Sequence, residues 1–280
     1  GRVYWLKVWE VPQGSRNSRG KPIVNMFPLE KDEKVNVVLP LTGEFRTFPE
    51  DHYIFMSTRL GTVKKTPLTD FSNPRKAGII AVGLDEGDVL VGAALTDGKH
   101  DVMLFSDGGK AVRFDEEDVR PMGRSARGVR GMMLEEGQSV IAMLVAEDET
   151  QSVLTATENG YGKRTSIVEY TRHGRGTKGM IAIQQSERNG KVVAATLVRP
   201  EDEIMLITDK GVLVRTRVSE IRELGRATQG VTLISLDEGA KLIGLQRIVE
   251  NDANSSEGSE SGETDGEAGE NAGTDGGTES

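Results

Sequence analysis

Short apolar runs of six residues, each followed by a turn, recur along the chain. Four of them, "YIFMST", "VMLFSD", "SVLTAT" and "IMLITD", meet turns that end on a glycine. That residue supplies the positive φ of a tight hairpin turn, and a strand carrying Lys or Arg follows it. No segment keeps a helical period over about 11 residues. The pattern therefore predicts an all-β chain built from hairpins.

These hairpins belong to a repeat that is marked by two glycines. The first glycines, spaced 60, 48, 51 and 51 residues apart, are Gly1, Gly61, Gly109, Gly160 and Gly211. A second glycine follows each of them by 17 or 19 residues, at Gly20, Gly78, Gly128, Gly179 and Gly230. After it we expect a third strand, such as "GIIAVGL", then a second turn and a fourth strand. Four strands at a period near 50 residues predict a propeller-like array of about five four-stranded antiparallel blades.

Composition divides the chain into a folded part, 1–250, and an acidic tail, 251–280. The tail holds nine acidic residues, no basic residue and no large apolar side chain, so we expect it to be disordered. The remaining 35 basic and 35 acidic residues make 1–250 formally neutral. The chain has no cysteine, no run approaching the roughly 18 apolar residues of a membrane span, and no recognisable signal peptide.

Charge is sorted within every repeat. The five windows that run from the first glycine to the second hold 22 basic and nine acidic residues. Radial repetition of the blades brings such basic segments onto one face or rim. A continuous basic stripe attracts a polyanion, and duplex DNA offers one phosphate per roughly 1.7 Å of helix axis.

The basic residues concentrate in loops that end on the second glycine. We call these the basic loops: 15–20, 73–78, 123–128, 174–179 and 225–230. Small residues between the cations let backbone N–H groups approach a phosphate while a long side chain reaches over it. The predicted phosphate contacts in these loops are Arg16, Arg19, Arg75, Lys76, Arg124, Arg127, Arg175, Lys178, Arg226 and Gln229.

A second, weaker set of predicted phosphate contacts lies on the second strand of each blade. Alternate positions on a strand face opposite ways, so part of this set points away from any ligand. Its members are Lys64, Lys65, Arg113, Lys163, Arg164 and Arg215. The plain alternative is that Arg and Gly are ordinary residues of solvated turns. Five copies in register, together with the basic surplus, favour DNA binding.

Several long strings resemble one family. "GKPIVNMFPLE", "NGYGKRTSIVEY" and "ITDKGVLVRTRVSEIRELGRATQGV" are similar to the C-terminal domain of the A subunit of bacterial DNA gyrase, and the resemblance covers nearly all of 1–250. It implies a β-pinwheel, whose blades exchange a strand with a neighbour, and a rim around which DNA bends so that negative supercoils are introduced. The related C-terminal domain from the A subunit of topoisomerase IV is the nearest alternative.

The resemblance also implies the setting of the domain. Its partners would be duplex DNA and, in a heterotetramer, the rest of the gyrase A protein together with gyrase B, in the bacterial cytoplasm at the nucleoid. ATP and magnesium would serve the whole ATP-dependent type II topoisomerase, with no cofactor in this segment. The family normally has six blades and a Gln-Arg-Arg-Gly-Gly-x-Gly box in the first. No string here fits that box, so the chain is expected to begin in the second blade.

Other chemistry is weakly indicated. The three histidines are scattered over separate repeats, so we predict no metal site. The acidic run "DEEDV" at 115–119 is interpreted as a solvated charge cluster, and no residue is assigned a catalytic role. Trp5 and Trp9 follow a strand alternation and are predicted to be core or seam residues, in preference to a base-stacking role. A propeller-like scaffold for protein partners remains the alternative class of function.

Overall fold

The computed structural model describes residues 1–15 and 17–248. This part of the chain forms seventeen β-strands, in chain order β1 (Arg2–Val3), β2 (Tyr53–Thr58), β3 (Thr62–Pro67), β4 (Ile79–Ile80), β5 (Leu90–Thr96), β6 (Asp101–Ser106), β7 (Lys110–Asp115), β8 (Val129–Arg130), β9 (Val140–Ala146), β10 (Ser152–Thr157), β11 (Tyr161–Ser166), β12 (Met180–Ile181), β13 (Val192–Val198), β14 (Glu203–Thr208), β15 (Leu213–Arg217), β16 (Val231–Thr232) and β17 (Leu242–Ile248). The all-β prediction is confirmed.

Short 3₁₀ helices are the other regular elements of the described residues. They span Val8–Glu10, Ile23–Asn25, Gly43–Thr47, Leu68–Phe71, Glu116–Asp118, Ile167–Glu169 and Val218–Glu220. The last four follow the second strand of a repeat directly, and each begins or ends on a buried apolar residue or, in one case, the buried Glu116. They turn the chain from that strand towards the basic loop.

The predicted hairpins form where the apolar runs meet their glycines. β2 pairs with β3, β6 with β7, β10 with β11 and β14 with β15, all antiparallel. The turn glycines have positive φ, for example 86° at Gly61 and 78° at Gly109. The fourth strand of each repeat then pairs with the other side of the first, as β5 does with β2.

The apolar runs are continuous because both faces of each sheet are buried. In β6, Val102 and Leu104 belong to a core cluster shared with the preceding repeat, whereas Met103 and Phe105 belong to one shared with the following repeat. Successive strand residues face opposite sides of a sheet, so a blade between two neighbours needs apolar residues at every position. The hydrophobic core therefore lies between consecutive repeats.

Each repeat after the first also contributes a two-residue strand to the sheet of the repeat before it. β8, which follows Gly128, pairs with β3, and β12 and β16 pair with β7 and β11 in the same way. The complete sheets have the strand orders β5-β2-β3-β8, β9-β6-β7-β12 and β13-β10-β11-β16. This exchange is the β-pinwheel arrangement, and the predicted four-stranded antiparallel blades are confirmed.

The third strand is shorter than the sequence pattern predicts. "GIIAVGL" forms a strand only at Ile79–Ile80, after which the amides of Ala81 and Val82 both bond to the carbonyl of Gly1. The chain then leaves the ladder and turns into the core. The apolar residues beyond the second glycine therefore fill the space between repeats instead of lengthening the sheet.

The end sheets are smaller in the described residues. β1 pairs only with β4, and β15-β14-β17 has three strands. In the first repeat the predicted strand "GRVYWL" is limited to Arg2–Val3. Trp5 packs against a core cluster as predicted, but the prediction for Trp9 is wrong, since it lies in the 3₁₀ helix Val8–Glu10 with 80% of its surface exposed. The predicted acidic tail, 251–280, lies outside the described residues.

The strand exchange explains the two glycines of the repeat. At Gly179, where φ is 76°, a Cβ atom would lie 2.4 Å from the carbonyl oxygen of Ala111 in the preceding blade. At Gly109, a Cβ would lie 2.6 Å from the carbonyl oxygen of Ile183 in the following blade. Both positions need a left-handed backbone and close approach of a second backbone, and glycine alone meets both needs.

Replacing an exchange glycine is therefore expected to destabilise the domain. Gly179→Ala should lower the free energy of unfolding by about 2 kcal/mol or more, because it adds backbone strain and a clash with main-chain atoms. The measurement is urea unfolding followed by circular dichroism. Gly123→Ala is the matched control, since no atom lies within 4 Å of its added Cβ and φ is not positive there. Equal stability of the two variants would contradict this account.

Candidate nucleic-acid interface

The basic loops lie at one edge of the blades. Each sheet runs from its fourth strand to the exchanged strand, and the fourth strands of consecutive repeats pack together, β5 with β9, β9 with β13 and β13 with β17. The exchanged strands occupy the opposite edge, which we call the outer edge. The four basic loops from 73–78 onwards lead directly into the exchanged strands β4, β8, β12 and β16, so consecutive repeats present these loops along the outer edge.

Most of the predicted loop contacts are exposed. The side chains that face solvent are those of Arg19, Arg75, Lys76, Arg127, Lys178 and Gln229. Arg16 lies outside the described residues. The structure therefore brings at least one exposed, hydrogen-bonding side chain of each basic loop to the surface.

In three basic loops, the arginine that lies four residues before the second glycine forms a hydrogen bond within the protein. Arg124, Arg175 and Arg226 are half-buried, and each donates from Nη1 to a carbonyl oxygen of the preceding exchanged strand. The acceptors are Ile80 at 3.0 Å, Arg130 at 3.1 Å and Ile181 at 2.6 Å, respectively. Arg175 and Arg226 also donate from Nε, to the carbonyls of Asp118 at 3.0 Å and Glu169 at 2.8 Å. A guanidinium has five N–H donors, so these bonds leave others for a phosphate.

The side chains of two basic-loop residues, Arg127 and Gln229, already bond protein groups that would compete with a phosphate. Arg127 forms an ion pair with Asp85, in which both side chains are largely exposed. Ion pairs of this kind are worth about 0–1 kcal/mol and are screened by salt, so a phosphate can displace the carboxylate. The Gln229 side chain accepts from the Ser186 hydroxyl at 3.3 Å, which leaves its amide N–H₂ group directed elsewhere.

The prediction that Lys64 and Lys163 contact phosphates directly is corrected by their position. They are 1% and 0% exposed. Lys64 Nζ donates to the carbonyls of Ala81, at 2.6 Å, and Arg124. Lys163 Nζ donates to the carbonyls of Gly225, at 2.6 Å, and Arg226. Both ammonium groups lie inside the domain, beneath a basic loop of the next repeat.

Lys65, Arg113 and Arg164 likewise join repeats and do not face solvent. Each donates to a main-chain carbonyl in or just after the 3₁₀ helix of the following repeat: Lys65 to Glu116 at 3.0 Å, Arg113 to Ile167 at 3.1 Å and Arg164 to Ile221 at 3.0 Å. Arg113 also bonds the buried carboxylate of Asp101 at 2.7 Å. These residues are removed from the set of phosphate contacts because their polar heads are committed to the protein.

Arg215 occupies the same strand position in the last repeat, where the described residues contain no following blade. It pairs with Glu203 of its own hairpin and stays about half exposed. Arg113, at the equivalent position, is buried by the following repeat. The contrast shows how the basic residues on the second strand of a blade become buried. Their burial depends on the neighbouring repeat, and a single repeat gives no sequence signal for it.

Three exposed cations next to the basic loops were not predicted from the sequence. Arg130 lies in β8, two residues beyond Gly128, while Arg120 and Arg222 precede the loops of their repeats. All three are exposed. Arg120 and Arg222 share a spacing of 11 residues from their first glycines, and this register is the signal that could have identified them.

One group of metal-ligating side chains occurs in the described part of the chain. Ligand atoms of Asp97, His100 and Glu116 lie within 4.8 Å of one another. The buried Glu116 carboxylate already accepts from the Thr96 hydroxyl at 2.7 Å and from the His100 amide at 2.8 Å. The group therefore has a structural explanation, and the absence of a metal site stays a prediction. Among the same residues, no helix has the length and hydropathy needed to cross a bilayer.

Burial changes the acidity of the two enclosed lysines. Desolvation lowers the pKa of Lys64 to about 8, with a smaller contribution from the Arg124 cation. Desolvation likewise lowers the pKa of Lys163 to about 8, and Glu169 partly opposes this effect. Both amines remain hydrogen-bond donors when they lose a proton, so the contacts to the loop carbonyls survive in either state.

The stability of the domain should consequently depend on pH through these groups. Between pH 8 and the ordinary lysine pKa of 10.5, the unfolded chain holds a proton that folded Lys163 has lost. The unfolding free energy of the parent chain should thus rise relative to that of Lys163→Met across this range. Urea unfolding at a series of pH values measures the difference, and a difference independent of pH would show that Lys163 titrates normally.

Comparison with known proteins agrees with this architecture. The sequence matches the family described as "DNA gyrase C-terminal domain, beta-propeller" over residues 1–41, 52–97, 100–147, 151–199 and 202–248. These five segments correspond to the five repeats.

Two solved structures are also similar. "Structure of DNA gyrase A C-terminal domain" has a TM-score of 0.75 at 26% identity, covering 89% of this chain and 80% of that chain. "Crystal structure of the C-terminal domain of DNA topoisomerase IV" has a TM-score of 0.80 at 26% identity, covering 89% and 76%.

Curated relatives are more similar in sequence. The DNA gyrase A subunit of Klebsiella oxytoca is 51% identical over 269 residues, which cover 93% of this chain and 30% of that protein. The DNA gyrase A subunit of Escherichia coli K12 is 50% identical over 263 residues, covering 92% and 30%. The chain thus spans about 30% of the length of these relatives. It belongs to the DNA gyrase C-terminal domain family.

Proposed function

We propose that this chain is the DNA-binding and DNA-bending domain from the A subunit of a DNA gyrase. One observation carries the proposal: consecutive repeats present exposed cations of their basic loops along the same outer edge. Duplex DNA is the polyanion that such a row fits, because its phosphates recur along the whole length of the ligand. The names of the gyrase A relatives, at 50% and 51% identity, support the same assignment.

The contacts are made mainly to phosphates. The exposed residues are arginines and lysines on short glycine-containing turns, and residues 1–15 and 17–248 contain no long helix that could enter a groove. Cations of this kind position a duplex without reading its bases, and sequence preference then arises from how easily the DNA deforms. A duplex that contacts loops on several successive blades would bend, because a propeller-like arrangement of blades places these loops along a curved path.

The complete gyrase, and not this domain alone, would carry out the topoisomerase reaction. With the rest of the gyrase A protein and with gyrase B, this domain would serve an ATP- and magnesium-dependent type II topoisomerase that introduces negative supercoils into the bacterial chromosome. Its location would be the cytoplasm, at the nucleoid. Within the chain, 1–250 forms the DNA-binding domain and 251–280 an acidic tail.

The two alternatives receive less support. The solved topoisomerase IV and gyrase A domains are both 26% identical to this chain, but the relatives at 50% and 51% identity are gyrase A subunits. A protein-binding scaffold would present an apolar docking surface. The outer edge presents arginine and lysine instead, at repeated positions where a scaffold has no need of them.

DNA binding should weaken steeply as salt increases. We expect the affinity for a duplex of random sequence to fall linearly on a log–log plot, with a slope of about 0.9 for each phosphate neutralised. Lys178→Ala should reduce that slope by about 0.9, since it removes one exposed loop cation. Fluorescence anisotropy of a labelled duplex, titrated at several salt concentrations, measures both quantities.

Lys210→Ala is the matched control for this experiment. Lys210 is also an exposed lysine, but it lies in the hairpin turn before Gly211, outside the basic loops. Its replacement should leave the slope unchanged. A parent slope near zero, or no binding at low salt, would contradict the proposed function, and equal effects of the two replacements would contradict the assignment of the loops.

A further inference from the structure

Two of the basic loops are held from inside the domain by a buried lysine. The ammonium of Lys64 lies beneath loop 123–128, where it donates to the carbonyl of Arg124, and that of Lys163 lies beneath loop 225–230. Lys163 makes a third bond there, to the hydroxyl of Thr228 at 3.1 Å. Both lysines occupy the third position after the first glycine of the preceding repeat.

Two of the other repeats place an apolar residue at this position. Val112 and Val214 stand there, and Val112 is buried in a core cluster. The strand fold therefore accepts valine at this site and does not require lysine. Burial of an ammonium group costs free energy that a valine avoids, so a stability role alone does not account for Lys64 and Lys163.

Inward bonds to the carbonyls orient the rest of each loop. In a planar trans peptide the C=O and the following N–H point in opposite directions. When Lys64 draws the Arg124 carbonyl inward, the N–H of Ser125 points outward. When Lys163 draws the Arg226 carbonyl inward, the N–H of Ala227 does the same. Ser125 and Ala227 are exposed and small, so an anion can approach these amides.

The outward amides lie beside the exposed loop side chains. Arg127 follows Ser125 by two residues, and Gln229 follows Ala227 by two residues. A phosphate at either loop would meet one main-chain N–H and one side-chain donor, with a buried positive charge behind them. Loop 174–179, which has Val112 at the corresponding position, lacks that support.

We propose that Lys64 and Lys163 are positioning residues for phosphate binding, each acting through the basic loop that covers it. This inference rests on the proposed DNA-binding function. It divides the basic loops into two classes, with lysine-supported loops at 123–128 and 225–230. In the supported class the buried lysine fixes the main chain in the orientation that a DNA phosphodiester needs.

A thermodynamic cycle in the 280-residue chain tests the proposal. Lys64→Met should weaken binding to a duplex about tenfold at low salt. Combined with Arg127→Ala, the same change should have a much smaller effect, because the loop that it supports has already lost its phosphate contact. Lys110→Met is the control. Lys110 is a partly exposed lysine two positions before Val112, paired with Glu135, and its replacement should act independently of Arg127→Ala.

The outcomes separate this inference from the proposed function. Failure of the parent chain to bind DNA would overturn both. Binding by the parent, with additive effects of Lys64→Met and Arg127→Ala, would overturn the inference alone, because a general loss of charge or stability adds to the loss of the loop contact. Circular dichroism melting shows whether Lys64→Met is folded at the assay temperature.

A measurement on the parent chain covers the case in which Lys64→Met does not fold. The Nζ resonances of ¹⁵N-labelled lysines report their hydrogen bonds directly. Addition of a short duplex should shift the Nζ resonances of Lys64 and Lys163 together with the amides of Ser125 and Ala227. Shifts of the loop amides without any change at the two Nζ groups would overturn the inference.

Discussion

The exchange of a two-residue strand between consecutive repeats is the constraint on which the rest of the structure depends. It joins each sheet to the next repeat, and it requires two backbones to cross at close range. The crossing at Gly179 leaves only 2.4 Å between a Cβ position and the Ala111 carbonyl oxygen. This contact accounts for the second glycine of the repeat, and the corresponding contact of Gly109, whose Cβ position lies 2.6 Å from the Ile183 carbonyl oxygen, accounts for the first. The same exchange determines where the basic loops from 73–78 onwards lie, because each of these four loops leads directly into an exchanged strand.

The basic residues divide into two groups according to whether the next repeat covers them. Those on the second strand, such as Lys65 and Arg113, meet the next repeat and donate to its carbonyls. Those at the ends of the loops, such as Arg127 and Lys178, stay in solvent. Arg175 and its equivalents belong to both groups, since they bond the preceding exchanged strand and still keep free donors. The surplus of positive charge therefore serves cohesion between blades as well as attraction of a polyanion.

Much of the fold could be predicted from the sequence because its determinants are local. Turn glycines and apolar runs give the hairpins, and their period gives the repeat. The length of the third strand could not be predicted, because the apolar residues after Ile80 pack between repeats instead of pairing.

Among the site residues, the exposed loop cations followed from the register of the glycines. The burial of Lys64 and Lys163 did not, since it depends on loops that lie about 60 residues further along the chain. The position of Trp9 shows the same limit: a strand alternation without a partner strand gave the wrong environment.

The central claim is that a duplex follows the basic loops from repeat to repeat. The chain has no native cysteine, so a single cysteine carrying a photo-crosslinker can be placed at position 19, 76, 127, 178 or 229 in turn. Mapping the crosslinked nucleotides on a duplex of fixed sequence with one preferred binding position tests this claim directly. Our account predicts that the crosslinks move along the DNA in the same order as the loops in the chain, and that a cysteine at position 210 in a hairpin turn gives few. Crosslinks clustered at one DNA position, or equally strong crosslinks from position 210, would contradict it.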